Sequence, residues 1–191
     1  GECSVTNGVF RSKGSYACFG NPEWKNYAVS FKARAPKDAE QVQIWAGFRA
    51  NNRFDRYVVG IKGGLQDDLY LMRMGYMGTD EFLGVRPLGF HPVPGQWYKL
   101  KVEVCGSRIR VFVNDEKKPH MDIVDKNSNL APSGPVTLGG GWIETEFDDL
   151  VVTSLEENAL NDVAVSEYGK VVTPQEKAVS YTHLTLPTIR L

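Results

Sequence analysis

Apolar and polar residues alternate with a period of two along most of the chain. This period is typical of strands buried on one side, because successive side chains of a strand point to opposite faces of the sheet. In the stretch 26–35, for example, Tyr27, Val29 and Phe31 fall on one face and polar residues fall on the other. The predicted strands cover residues 26–35, 41–50, 56–62, 68–75, 81–85, 97–105, 108–114, 135–138 and 146–153.

The connections between these segments are rich in Gly, Pro and Asn, which favour turns. Gly106 and Ser107 separate two strongly alternating segments and predict a two-residue hairpin turn. No segment before Leu155 has a 3.6-residue period of helical length. About ten to twelve strands joined by such turns predict an all-β fold, an antiparallel two-sheet β-sandwich or jelly roll.

The pattern changes after the predicted domain, residues 1–154. Residues 155–178 are mostly polar, and we interpret them as a linker with a short helix. Residues 179–188 resemble the translation of a transposase sequencing adapter, as found at the ends of metagenomic reading frames. We therefore expect a non-native tail over 179–191 and a natural sequence that continues beyond Ala178 into a missing downstream domain.

Charge and hydropathy exclude two classes of partner. The chain has 22 Lys and Arg against 23 Asp and Glu, a formal net charge of −1, and no long run of one sign. A nucleic-acid partner is therefore not expected. The sequence also has no apolar stretch of about 18 residues, so no membrane insertion is expected.

The three cysteines leave two interpretations open. Cys3 and Cys18 flank a short strand-turn-strand stretch, and a disulfide across that hairpin would indicate an oxidising compartment. Alternatively, these two residues and Cys105 are buried, reduced thiols that pack as small apolar side chains.

Several stretches carry a resemblance to a known family when they are taken in order. They are Trp24–Ser30, Ala46–Arg49, Arg56–Ile61, Gly95–Val102 and Phe147–Val152. Together they resemble the concanavalin A-like lectin/glucanase superfamily, and within it the family 16-like or 3-keto-disaccharide hydrolase domains, with levan-binding modules as close relatives. The resemblance implies a concanavalin A-like jelly roll in a secreted, periplasmic or cell-surface bacterial protein. The same sandwich hosts lectins, glycan-binding modules, hydrolases and adhesion domains, so it does not fix the function.

The resemblance also implies a ligand-binding role for Arg49 and Tyr57. In the related domains, the corresponding residues lie on or near the concave sheet face where glycans dock. A guanidinium suits this task because it donates several hydrogen bonds in a fixed plane. The alternative is that Arg49 pairs with Asp55 on a solvated hairpin.

Four other aromatic residues are candidates for stacking on sugar rings: Trp45, Tyr70, Tyr76 and Trp142. The C–H-rich face of a sugar packs against an aromatic ring while its hydroxyls stay hydrated. Trp142 follows Gly139–Gly141, where missing side chains let a ligand or another backbone come close. The other two tryptophans precede strands in the family pattern and are expected in the core: Trp24 and Trp97.

Asp148 and Asp149 are candidate ligands for a structural Ca²⁺. In many related jelly rolls, an acidic residue of the last strand binds calcium together with backbone carbonyls of the N-terminal region. Calcium takes six to eight oxygen ligands, so two adjacent carboxylates cannot bind it alone. The alternative is a charged edge strand.

Glu144, Glu146 and Asp148 are weak catalytic candidates, since alternation would project them from one strand face. Their spacing differs from the Glu-x-Asp-x-x-Glu pattern of family 16 glucanases, which favours an ordinary solvent-facing strand. The leading hypothesis is therefore a non-catalytic carbohydrate-binding module of a larger secreted glycan-processing protein. A glycoside hydrolase acting on a di- or oligosaccharide and a laminin-like adhesion or interdomain packing module are the alternatives.

Overall fold

The structure, a computed structural model, describes residues 1–51, 55–64, 66–75 and 79–161. The strands in these ranges are Glu2–Thr6 (β1), Val9–Lys13 (β2), Tyr16–Phe19 (β3), Tyr27–Arg34 (β4), Gln43–Phe48 (β5), Arg56–Lys62 (β6), Asp68–Met74 (β7), Glu81–Pro87 (β8), Tyr98–Cys105 (β9), Arg108–Val113 (β10), Met121–Val124 (β11), Val136–Gly139 (β12) and Thr145–Ser154 (β13). A short 3₁₀ turn covers Ser128–Leu130. Over the described ranges, no helix is long and apolar enough to cross a membrane.

The strands form two antiparallel sheets. Sheet A has the order β1-β2-β13-β4-β9-β10-β11, and sheet B has the order β3-β12-β5-β6-β7-β8. Strands adjacent in a sheet are often distant in the chain, as with β13 between β2 and β4. The predicted antiparallel β-sandwich of the jelly-roll type is therefore confirmed.

The core lies between the two sheets and follows the alternation of the sequence. On β4, the residues Tyr27, Val29 and Phe31 are at most 2% exposed, while their neighbours are half-buried. Strands β9 and β10 show the same alternation, and their register across Gly106 and Ser107 is that of the predicted two-residue turn. A fully buried side chain of this size contributes about 1.5–3 kcal/mol.

One polar cluster crosses the interior between the sheets. Asp125, which follows β11 of sheet A, is bound by Tyr57 of β6 and Arg73 of β7, both in sheet B. The Tyr57 hydroxyl donates to the Asp125 carboxylate over 2.7 Å. Burial opposes ionisation of Asp125, but the hydrogen bonds from Arg73 and Tyr57 outweigh it and lower the pKa of the carboxyl. This cluster ties the two sheets together with polar groups that satisfy one another.

Cys3 and Cys18 do not form the hairpin disulfide that was one of the two interpretations. Cys3 lies on β1 opposite Ser12, whereas Cys18 lies on β3 of the other sheet, opposite Thr137. All three thiols are free, and Cys105 is the buried one. The alternative of three buried thiols therefore holds only for Cys105.

The chain also packs on the sandwich beyond the predicted domain end at Ser154. Leu160 is 5% exposed, and the Cys105 thiol donates to the carbonyl of Glu157 over 2.8 Å. Arg108 donates to the carbonyl of Leu160 over 3.3 Å. The first residues of the predicted linker are therefore part of the folded domain.

Candidate functional site

The outer face of sheet B, which points away from the core, carries the candidate site. On β5 and β7, the alternation sends Ile44 and Leu69 into the core and leaves Trp45 and Tyr70 on the outside. These two residues, both singled out from the sequence, lie together, with ring centres 6.0 Å apart.

The rings continue as a row across the sheet. The Tyr70 ring centre lies 6.2 Å from that of Phe82 on β8. Between β5 and β7 the position on β6 is Gly60, where a Cβ atom would lie 2.2 Å from the Tyr70 hydroxyl oxygen. The absence of a side chain at Gly60 therefore lets Tyr70 extend across β6 towards Trp45. We call Trp45, Tyr70 and Phe82 the aromatic row.

Tyr70 is the buried centre of this row. It is 6% exposed and packs with Val58 and Met72 on the outer face of the sheet. Its hydroxyl is buried and has no hydrogen-bond partner among the described residues. Burial raises the pKa of this hydroxyl, so the phenol stays neutral. A ligand would therefore meet mainly the half-buried Trp45 and the exposed Phe82, with Tyr70 holding both rings in place.

A second row, of polar side chains, runs beside the aromatic row. Gln43, Lys62 and Asp68 are register partners on β5, β6 and β7. Each lies two residues along its strand from Trp45, Gly60 or Tyr70, respectively, and therefore on the same face of the sheet. In the described part of the chain, the side chains of Lys62 and Asp68 have neither an ion-pair nor a hydrogen-bond partner. We call Gln43, Lys62 and Asp68 the polar row.

Trp142 lies at one end of these rows, on the loop after β12. Its backbone N–H donates to the side-chain oxygen of Gln43 over 2.7 Å, and its side chain is 78% exposed. At Gly140, a Cβ atom would lie 3.9–4.0 Å from Tyr16, Trp45 and Arg56, so this loop borders the same face. Gly139 has a different role, since a Cβ atom there would lie 2.1 Å from Ser12 Oγ.

Arg49 and Tyr57 lie in the interior and not on this face, which corrects the expectation from the resemblance. The Arg49 guanidinium donates to the carbonyls of Lys25 and Gly106, each over 2.8 Å, and the residue is 2% exposed. Arg49 has a positive φ of 48° directly after β5, which ends the strand's alternation there. Tyr57 is fully buried and bound to Asp125. The alternative, Arg49 on a solvated hairpin, is also wrong, because the buried guanidinium donates to backbone carbonyls.

The three weak catalytic candidates belong to the sheet A side of the molecule. Glu146 is 4% exposed and is bound by Arg11 over 2.7 Å and by Arg34 over 2.6 Å. The interpretation as a solvent-facing strand is therefore wrong at Glu146, because arginines of the two neighbouring strands cover it. Glu144 precedes β13, and Asp148 is half-buried on β13.

The acidic pair proposed for calcium lies at a β-bulge of β13. Asp149 has a positive φ of 52°, and its carboxylate is bound by Lys32 over 2.7 Å. Among the residues described, no group of three or more His, Cys, Asp or Glu side chains is arranged to hold a metal ion. Calcium binding by Asp148 and Asp149 with backbone carbonyls stays a prediction.

Of the other aromatic residues, Trp24 packs against the core as expected. Trp97 does not: the Arg34 guanidinium lies 4.4 Å from its ring centre on the outer face of sheet A. Tyr76 lies outside the described residues. Phe82 was not singled out from the sequence, although it is one of the most exposed aromatic residues of the fold, at 64%.

The two sheets form a jelly-roll β-sandwich, and comparison with solved structures agrees with this fold. The carbohydrate-binding module CBM66 from Bacillus subtilis is similar, with a TM-score of 0.63 and 16% sequence identity over 81% of this chain and 92% of that chain. The A. japonicus protein CB05 has a TM-score of 0.53 and 15% identity, covering 81% of this chain and 27% of that one.

Sheep galectin-11 is a more distant structure, with a TM-score of 0.45 and 17% identity over 75% of this chain and 96% of that chain. No protein-family model matches the sequence, and no curated protein is similar to it in sequence. At these identities the likeness shows the fold alone.

Proposed function

We propose that the outer face of sheet B binds carbohydrate. The observation that carries the proposal is the aromatic row beside the polar row. Rings such as Trp45 offer an apolar surface to the C–H face of a sugar, while Lys62 and Asp68 offer a donor and an acceptor to its hydroxyls. The similarity of the fold to a carbohydrate-binding module supports the same function.

The binding is proposed to be non-catalytic, in a domain of a larger secreted glycan-processing protein. Glu146, the central carboxylate of the hydrolase alternative, is held by two arginines on the opposite sheet from the aromatic row. An adhesion module would be favoured by a flat surface with Trp142 buried, whereas Trp142 is 78% exposed. The first observation favours binding without turnover, and the second favours sugar binding over adhesion.

The test compares tryptophans on the two outer faces. Trp45→Ala removes the half-buried ring of sheet B, and Trp97→Ala removes the half-buried ring of sheet A. Isothermal titration and affinity electrophoresis against neutral polysaccharides should show binding by the wild type and by Trp97→Ala, and at least a tenfold weaker association for Trp45→Ala. Circular dichroism checks that both variants fold.

Two results would refute the proposal. One is the absence of binding to every polysaccharide of a panel with fructans, xylans, β-glucans, α-glucans and mannans. The other is equal affinity of Trp45→Ala and the wild type. Arg49→Ala is a separate control, expected to lower stability because its buried guanidinium binds two carbonyls, while a folded fraction keeps its affinity.

A further inference from the structure

Two exposed aromatic side chains mark the ends of the candidate site. Of the large apolar residues that are exposed in the described ranges, Phe82 and Trp142 are aromatic and the others are aliphatic. Both border the outer face of sheet B, Trp142 through its bond to Gln43 and Phe82 through its contact with Tyr70. Exposed aromatic rings cost solubility, so their placement at the two ends of one site indicates a ligand that reaches both.

The distance between these ends exceeds one sugar ring. Gln43, which anchors Trp142, is on β5, and Phe82 is on β8, three positions further in the sheet. Three strand spacings amount to about 14 Å. The Tyr70 ring also lies between Trp45 and Phe82, and its centre is 6.0 Å from that of Trp45 and 6.2 Å from that of Phe82. A single sugar ring therefore cannot contact both Trp142 and Phe82.

The two charges of the polar row indicate a neutral ligand. Lys62 and Asp68 are direct register partners, so their charges lie side by side and largely cancel at a distance. An acidic sugar chain lying along the polar row would meet the Asp68 carboxylate as well as the Lys62 ammonium. Hydroxyl groups, in contrast, can accept from one and donate to the other.

We infer that the ligand is a neutral oligo- or polysaccharide of several units, laid across strands β5 to β8 from Trp142 to Phe82, and not a single terminal sugar. This inference rests on the proposed carbohydrate binding by the same face. Trp45 and the polar row bind the central unit, and the two exposed rings bind units on either side.

A length series tests the inference. The probes are fructo-, xylo-, cello- and malto-oligosaccharides of two to six units, titrated calorimetrically into the wild type, Phe82→Ala and Trp142→Ala. For the series that binds, wild-type affinity should rise at least tenfold from the disaccharide to the hexasaccharide. Each variant should lower that gain to about threefold or less while its disaccharide affinity changes less than twofold. Leu130→Ala, at an aliphatic residue of similar exposure to Phe82, is the control and should behave as the wild type.

The outcomes separate this inference from the proposed function. A wild type that binds a disaccharide as tightly as a hexasaccharide refutes the multi-unit ligand and leaves sugar binding intact. A full length-dependent gain in both variants refutes the role of the two end rings. Tighter binding of polygalacturonate than of any neutral chain, lost in 0.5 M NaCl, refutes the neutral class. Failure of every probe and of every polysaccharide in the panel above to bind refutes the proposed function itself. Urea unfolding midpoints confirm that the variants are folded.

Discussion

The two outer faces of the sandwich differ in how many of their charged side chains form ion pairs. On sheet A many of the charged residues are paired with one another, although Glu2 and Lys13 at its edge form no ion pair in the described ranges. The pairs are Arg11 and Arg34 with Glu146, Lys32 with Asp149, Lys99 with Asp115, Lys101 with Glu103, and Arg108 and Arg110 with Asp122. On sheet B, Lys62 and Asp68 lie beside an apolar cluster and, within the described ranges, make no such pair.

The difference indicates which face has binding capacity left. A hydroxyl that approaches sheet A must displace an existing partner, and it gains little because one hydrogen bond replaces another. On sheet B, Lys62, Asp68 and the rings beside them can bind a ligand without that exchange. The same type of strand thus forms one face whose charged groups largely bind one another and one face with groups that can bind a ligand.

The largest effect is expected from breaking the central ion pairs of sheet A. Glu146→Ala leaves Arg11 and Arg34 without their shared carboxylate, which is 5% exposed. Removing one partner of a buried pair is strongly destabilising, at about 3–5 kcal/mol. Because the half-exposed arginines can be hydrated again, we expect a loss at the lower end, about 3 kcal/mol in the free energy of unfolding. Urea unfolding measures it. A loss below about 1 kcal/mol would contradict the structural role of this pair.

A smaller effect is expected at Gly60 on sheet B. In Gly60→Ala the new Cβ atom would lie 2.2 Å from the Tyr70 hydroxyl oxygen and 2.5 Å from the carbonyl of Ile44. The resulting overpacking should lower stability by about 2 kcal/mol and displace Tyr70, so that sugar affinity falls too.

Gly63→Ala is the matched control for this substitution. It adds a Cβ atom directly after the same strand, with nearest contacts of 3.4–3.5 Å and no positive φ. It should change neither affinity nor stability beyond about 0.5 kcal/mol. Equal behaviour of the two alanine variants would show that Tyr70 does not depend on the space above Gly60.

The alternation predicted nine of the strands, but it gave no bounds for β1, β2, β3 or β11 and did not predict every face. The strand 56–62 has the predicted bounds, and Trp45 and Tyr70 lie together as their positions in the alternation allow. Phe82 was missed because a β-bulge between β7 and β8 shifts the register at Leu71 and Met72. The shift packs Leu83 against the core and leaves Phe82 outside, and no local pattern in the sequence indicates it.

Two other residues show why non-local contacts limit such predictions. Glu146 is covered by Arg34, 112 residues away in the chain, and only the strand order brings them together. Arg49 lies at a strand end, where a positive φ directs its side chain to carbonyls of two distant turns. In both cases the residue type was informative, but the partner depended on the topology.

The acid sensitivity of the two faces should also differ. Hydrogen bonds and charge from Arg108 and Arg110 lower the pKa of Asp122 on sheet A, although burial acts in the opposite direction. A lowered folded-state pKa adds stability above the unfolded value of about 3.9, and this stability is lost as the pH falls through the folded pKa.

The measurement is the urea midpoint from pH 6 to pH 2 for the wild type and Asp122→Asn. The variant should be less stable at pH 6 and should lose less stability on acidification than the wild type. Identical slopes would show that Asp122 gains nothing from its arginines. Asp68→Asn on sheet B serves as the control, because no ion pair forms with Asp68 in the described ranges.

The smallest effect on stability, and the sharpest contrast between the faces, is expected from a pair of exposed lysines. Lys99 pairs with Asp115, but the two side chains are 56% and 82% exposed, so Lys99→Ala should cost about 0.5 kcal/mol or less. Lys62→Ala should be equally mild, since the exposed Lys62 holds no partner in the described ranges. Their sugar affinities should nevertheless diverge: Lys62→Ala loses roughly fivefold because a hydrogen bond to the ligand disappears, while Lys99→Ala keeps wild-type affinity. Equal affinities of the two variants would mean that the unpaired charges of sheet B do not contact the ligand, and that the aromatic row alone provides the binding.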